Sequence, residues 1–365
     1  MRYLSEYRDP TIAKKLIEDI KKISKKPVKF MEVCGTHTVS ISKNGIRQVL
    51  PENISLLSGP GCPVCVTANG DIDKAIAIAE APGVIFTTFG DMMKVPGSYS
   101  SLSEKSADGA DIRVVYSTLD ALKIAKNNPD KKVVFFAVGF ETTAPTIALS
   151  ILEAERQGIK NYFIYSVHKM VPPAMAALLN LGEVKLDGFI CPGHVSAIIG
   201  SKPYEFIARD HKISCVIAGF EPIDILQSIS MLVKQVENGE AKVEIGYKRG
   251  VSSLGNTKAQ EVMKKVFEAC DAEWRGIGVI PESGLSLRTN FEGFDASKIF
   301  DVDVPPTKEH LGCSCGEILR GVKLPYDCKL FGKACTPENP IGPCMVSTEG
   351  SCAAYYRYGE VVDGV

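Results

Sequence analysis

Short runs rich in Val, Ile and Phe recur through the first two thirds of the chain. They fall at Val28 to Val33, Ile54 to Leu57, Val84 to Phe89, Ile112 to Tyr116, Val133 to Val138, Tyr162 to Val167, Gly188 to Cys191 and Ser214 to Ala218. A helical pattern at Ile12 to Ile23 leads into the first of them, and others lie between several of them, at Asp71 to Glu80, Leu119 to Asn127, Pro145 to Arg156 and Ala174 to Leu181. Strands alternating with helices predict parallel sheets in an α/β fold. Asn127-Asn128-Pro129-Asp130 reads as a turn, which predicts an α/β domain over 1–130 and a second over 131–250. From 251 to 365 regular periodicity fades, and beyond about residue 300 Pro, Gly and Cys dominate. Such a tail lacks the apolar residues for a core of its own, and metal cross-links would supply the missing stability. The pentapeptide Ala137-Val138-Gly139-Phe140-Glu141 is echoed by Ile217-Ala218-Gly219-Phe220-Glu221, which marks either equivalent strands or a repeated strand-end solution.

Twelve cysteines in 365 residues narrow the chemistry. The opening residues Met1 to Tyr7 contain no apolar leader core, and no apolar run approaches a membrane span, so a cytoplasmic protein is expected. With 42 Lys and Arg against 43 Asp and Glu, nothing favours nucleic acid or an anionic membrane as partner. In a reducing compartment many thiols point to metal, cluster or redox chemistry. Cys313, Cys315, Cys328, Cys335, Cys344 and Cys352 crowd the tail. Four of them suffice for an iron–sulfur cluster or a tetrahedral zinc, and the surplus pair hints at redox work. Cys191, Cys215 and Cys270 read as core residues.

Several motifs follow putting a strand before a turn, where ligands of parallel sheets bind. Cys34-Gly35-Thr36-His37-Thr38 sets a thiol and an imidazole three residues apart, as two ligands of one metal, an activated nucleophile, or a buried thiol beside a turn histidine. Gly59-Pro60-Gly61-Cys62-Pro63-Val64-Cys65 holds the chain's single Cys-x-x-Cys, whose proline favours a tight turn and a reversible disulfide. Gly139-Phe140-Glu141-Thr142-Thr143 offers Glu141 as a site acid or a helix-start carboxylate. His194 in Cys191-Pro192-Gly193-His194 and His168 after Ser166-Val167 share the strand-end position, as ligands, donors or turn residues. A dinucleotide fingerprint, a phosphate loop and a nucleophile elbow are all missing from the sequence, which disfavours a standard nucleotide enzyme.

Taken together, residues 34–38, 59–65, 139–145 and Pro192-Gly193-His194-Val195-Ser196, with the ending Glu349-Gly350-Ser351-Cys352-Ala353-Ala354-Tyr355-Tyr356, resemble the HypD family of hydrogenase maturation factors. The motifs span nearly the whole chain. The resemblance implies two α/β domains facing a cleft and a C-terminal domain with a [4Fe-4S] cluster. It implies a scaffold, rather than a standard turnover enzyme, on which iron receives the ligands of the Fe(CN)2CO unit of [NiFe]-hydrogenase. A HypC-type chaperone, a HypE-type cyanide donor and, indirectly, the hydrogenase large-subunit precursor would be its partners. On this reading Cys34 ligates the iron as a soft thiolate. His37 would tune Cys34 or hold a cyanide nitrogen, with Thr36 and Thr38 as further donors, and Cys62 and Cys65 form a redox pair. The family spacing Cys-x14-Cys-x6-Cys-x16-Cys selects Cys313, Cys328, Cys335 and Cys352 for the cluster and leaves Cys315 and Cys344 as a second redox pair. The competing reading is a Cys/His hydrolase or transferase with Cys34 as nucleophile and a structural zinc in the tail.

Overall fold

The computed structural model describes residues 5–359; the first four residues, which belong to the segment read as lacking a leader, and residues 360–365 lie outside the described residues. Each apolar run forms a strand: β1 (Val28–Glu32), β2 (Ile54–Ser58), β3 (Val84–Thr88), β4 (Ile112–Val114), β5 (Lys132–Ala137), β6 (Tyr162–Ser166), β7 (Gly188–Pro192) and β8 (Ser214–Ala218). A short β9 (Val243–Ile245) and an antiparallel hairpin of β10 (Phe267–Trp274) and β11 (Gly278–Leu287) follow. Helix α1 (Pro10–Ile23) starts where Asp9 accepts hydrogen bonds from the Thr11 and Ile12 amides, with Pro10 supplying a preset φ. Ile20 is buried while Lys14, Lys15, Lys21 and Lys22 face solvent, as the helical spacing predicts.

The strands build two parallel sheets, ordered β2-β1-β7-β8-β9 and β4-β3-β5-β6. Counted within each sheet, both orders run 2-1-3-4, with β9 adding a fifth strand to the first. Both therefore place a switch point between their first and third strands. The four-stranded sheet, from β3 to β6, lies in the sequence between β2 and β7 of the other. The boundary expected near residue 130 consequently falls inside one sheet: β3 pairs with β5 from Val84↔Lys132 to Thr87↔Phe135. Parallel strands need crossovers, so sequence neighbours need not share a sheet, and a turn at Asn127–Asp130 marks a crossover rather than a domain limit. The pentapeptide echo joins β5, third in its sheet, to β8, fourth in its own, so it is a repeated strand-end solution.

The inner faces of both sheets meet in one apolar core. Phe189, Cys215 and Ile217 pack in the same cluster as Phe86, Val134 and Phe136. The tail joins it through Cys315, Ile318, Leu319, Cys344 and Ala353, which answers the shortage of apolar residues noted in its sequence. Cys191 and Cys215 are fully buried core residues as expected, but Cys270 is half-exposed on β10. Among the described residues no helix is long and apolar enough to cross a membrane.

Candidate functional site

Register aligns the carboxyl ends of the five-stranded sheet. Glu32 pairs with Ser58 on one side and Ile190 on the other. The three turns that follow β1, β2 and β7 carry Cys34, Cys62 and His194 to this edge. Two glycines allow the first two turns to touch. The Gly35 amide donates to the Gly61 carbonyl at 2.8 Å, and a Cβ on Gly61 would overlap the Cys34 amide and Val33.

Cys34 caps helix α2 (Gly35–Lys43) in an extended conformation and is almost fully buried. Burial, followed by the charge of Glu349, pushes its thiol up to about 12, while the His37 and Thr36 amides pull the other way. His37 is wholly buried one turn on, with Nε2 3.0 Å from the Gly219 carbonyl oxygen. A carbonyl only accepts, so Nε2 carries the proton and Nδ1 presents a lone pair, which has no partner. Burial lowers His37 to about 4. Donation from His37 to a cyanide nitrogen would need the imidazolium, which this burial disfavours; Nδ1 suits a metal or a donor.

The two threonines are engaged elsewhere. Thr36 Oγ1 donates to Glu349 Oε1 at 2.7 Å, and Thr38 Oγ1 donates to Glu32 Oε1 at 2.7 Å. Their hydroxyl protons go to Glu349 and Glu32 in this structure. Glu32 is completely buried, and loss of solvent raises it to about 7 against the hydrogen bonds from Ser58 and Thr38. Glu349, Glu32 and Phe220 are the residues the sequence reading left out of the site. Phe220 stacks on His37 at 5.1 Å and on His194 at 3.8 Å, so one ring column joins both histidines. Glu349 lies inside the quoted tail motif, and Phe220 inside the echoed pentapeptide; both signals were visible as motif members without a role. His194 is thus at the Cys34 edge, whereas Glu141 is not: it is buried at the end of β5, where Val171 N donates to its Oε1 at 3.0 Å.

The remaining thiols form a connected run. Cys62 caps the short helix Pro63–Val66, and the Cys65 amide donates to its sulfur at 3.3 Å. Cys65 is fully buried and within hydrogen-bonding reach of Cys62 and Cys344; burial holds it well above the ordinary thiol value. Cys344 in turn reaches Cys315 and Cys352, and Cys315 reaches Cys313. Cys335, which accepts from the Ile341 amide at 3.3 Å, senses the charges of Cys352 and Cys313. Cys328 is buried beside the Gly312 carbonyl, next to Cys313. All twelve cysteines are free thiols. Among the described residues no group of three or more His, Cys, Asp or Glu side chains is arranged to hold a single metal ion.

A doubly wound α/β protein with a thiol, two histidines and a buried carboxyl at one sheet edge, backed by a thiol-rich tail, defines the class. A profile named HypD and described as "Hydrogenase formation hypA family" matches residues 11–359. The chain is 49% identical over 369 residues to the hydrogenase maturation factor HypD of Rhizobium leguminosarum bv. viciae, covering 98% of this chain and 96% of that one. It is 46% identical over 373 residues to the HypD of Cupriavidus necator, covering 100% and 98%, and 47% identical over 368 residues to that of Azotobacter vinelandii, covering 98% and 97%. The chain belongs to the HypD family, and its role is in hydrogenase maturation.

Proposed function

We propose that this chain is the scaffold on which iron receives cyanide and carbon monoxide during [NiFe]-hydrogenase maturation, with Cys34 as its ligand to that substrate iron. The observation that carries the reading is the run of thiols from Cys62 through Cys65 and Cys344 to Cys315, Cys313 and Cys352, which begins beside the turn that holds Cys34. A hydrolase needs one thiol and an accessible base. Here the thiol is buried and raised, and the imidazole, although its Nδ1 lone pair is free, is wholly buried. Iron(II) supplies the positive charge that the Cys34 pocket lacks, so iron binding should release a proton.

Closing Cys62 and Cys65 to a disulfide yields two electrons and two protons. A carrier thiocyanate, R–S–C≡N, that takes them up gives R–SH and HCN, so the pair balances cyanide release. Cys344 and Cys315 would re-reduce Cys65 and Cys62 by thiol–disulfide exchange, becoming a disulfide themselves. Cys313, Cys328, Cys335 and Cys352 suit a [4Fe-4S] cluster: they are buried or half-buried, and the amide aimed at Cys335 is the kind of hydrogen bond that tunes cluster sulfur. Such a cluster would supply one-electron chemistry to the tail. Cys313 is preferred to Cys315 as ligand on the family spacing, since Cys315 neighbours Cys313, Cys344 and Cys352 alike. The partners on this reading are a HypC-type chaperone giving a second thiolate, a HypE-type cyanide donor and the large-subunit precursor downstream, all in the cytoplasm.

The test is Cys34→Ala in a strain lacking its own copy. Hydrogenase activity should fall to background, while anaerobically purified protein keeps its far-ultraviolet spectrum and about four iron and four sulfide per chain. Unchanged maturation, or stoichiometric zinc without sulfide, overturns the reading.

A further inference from the structure

At the carboxyl edge of the four-stranded sheet a cavity of about 490 Å³ opens between the β10–β11 hairpin and the helix Thr257–Val266. Its walls are mostly apolar, with Met170, Pro172, Met263, Phe267 and Leu285 among them, and Gln260, Lys264, Glu268 and Arg288 make a polar side. No cysteine lines it, and none of the residues from the Cys34 edge does. Glu141 also lines it. That side chain is 3% exposed, and while Oε1 accepts from the Val171 amide, Oε2 has no hydrogen-bond partner. Buried carboxyl oxygens without a partner are rare because the loss of water goes uncompensated. Burial holds Glu141 at about 7, so it can meet a ligand either as carboxylate or as acid.

Of the other polar side chains that line the cavity, Lys264 is exposed at its rim, and Gln260 donates to the Ile198 and Leu254 carbonyl oxygens. Arg288 donates to the Lys264 and Phe267 carbonyl oxygens and pairs with Glu268. His168 does not line the cavity: it sits behind the Phe267 ring at 5.7 Å, with Nδ1 3.0 Å from the Ser166 hydroxyl and Nε2 buried without a partner. An apolar cavity of this size with one convergent, unsatisfied polar atom has the composition of a small-molecule site. We propose that it binds a compact apolar molecule with a single hydrogen-bond-donating head, an amine or a primary amide, received by Glu141 Oε2. The apolar body would fill the space between Met170, Met263 and Phe267. This site is separate from the thiols and stands or falls independently of the scaffold reading.

Met170 and Met263 make the test direct. Full-length protein labelled with ¹³C at the methionine methyls is titrated above pH 8, where Glu141 is ionised and can only accept, with benzylamine, benzamide and the donor-free benzyl methyl ether. Benzylamine and benzamide should shift the Met170 and Met263 signals along saturating curves by about 20 mM, the weak affinity expected of so small a probe. The ether should bind about tenfold more weakly or worse, because it leaves Glu141 unpaired. Glu141→Gln should weaken benzylamine about tenfold as well, and Met263→Trp, which fills the cavity and keeps Glu141, should abolish the shifts of Met170. Absence of saturable shifts at Met170 and Met263 overturns the proposal. So does ether binding equal to that of benzylamine, a result that needs no variant to fold.

Discussion

The two parallel sheets share a strand order and differ in what their carboxyl edges do. Each edge buries one glutamate raised to about 7, Glu32 in one sheet and Glu141 in the other. Each buries one histidine pushed far down, His37 to about 4 and His168 to about 3. Yet no cysteine occurs between Cys65 and Cys191, so the four-stranded sheet carries no thiol at all. The tail also chooses one edge, where Glu349 bonds Thr36 and Cys344 reaches Cys65. Shared topology thus creates two crevices, and the loops and the tail assign thiol chemistry to one of them.

The sharpest break of that comparison uses two buried thiols, each beside another cysteine. Cys344 links Cys65 to Cys315, whereas Cys215 only reaches Cys191 between β7 and β8. Cys344→Ser should cut hydrogenase maturation in cells by more than about tenfold, because serine cannot take part in thiol–disulfide exchange. Cys215→Ser should leave maturation within about twofold of the parent when protein levels are matched, since a core hydroxyl perturbs packing and not redox chemistry. Equal losses would mean that the run of thiols is packing and nothing more.

A smaller effect separates the glycines of the two edges. A Cβ on Gly61 would overlap the backbone of Val33 and Cys34, which cannot yield as a side chain can. At Gly90, after β3, the nearest atom to an added Cβ is a Val114 methyl at 3.6 Å, an ordinary contact. Gly61→Ala should destabilise by roughly 3 kcal/mol, the upper end for overpacking, and Gly90→Ala by less than about 0.5 kcal/mol. Urea unfolding of both variants measures this. Comparable midpoints would show that the β1 and β2 turns are free to separate, and the tight Cys34 edge would be lost as a distinguishing feature.

The elements were largely legible because buried parallel strands are nearly all apolar, as Lys132–Ala137 is after its first residue, and such runs stand out without any partner in view. Their assembly was not. Residue 130 looks like a boundary because Asn127-Asn128-Pro129-Asp130 has turn chemistry, and crossover turns and linkers are built from the same residues. Cys34, His37, Cys62, Cys65 and His194 declared themselves by chemical type at strand ends. Thr36 and Thr38 were visible too, but their pairing with carboxylates was not: Glu349 acts on Thr36 across 313 residues, a pairing that no local pattern encodes. The role of Phe220 was hidden for a different reason, since a lone aromatic after a strand reads as core until two histidines are found stacked on it.

The subtlest difference between the edges is electrostatic and can be isolated by a double difference. Glu141 has a folded value of about 7 against about 4.5 in the unfolded chain. Between those values the unfolded state has released its proton and the folded state still holds it, so stability falls as pH rises from 4.5 to 7. His168 acts in the opposite sense. Its folded value of about 3 lies below the ordinary 6.5, so the unfolded chain binds the extra proton and stability rises with pH up to 6.5. In the parent protein the two trends offset each other, as do those of Glu32 and His37 at the other edge. Removing one carboxyl exposes its share. Stability of Glu141→Gln minus that of the parent should increase by about 2 kcal/mol between pH 5 and pH 7, from one pKa unit being worth about 1.4 kcal/mol. Histidine contributions cancel because both proteins carry them. Urea midpoints at the two pH values give the number, and a difference that does not change with pH would mean that Glu141 is ionised in the folded protein throughout, with its Oε2 already satisfied.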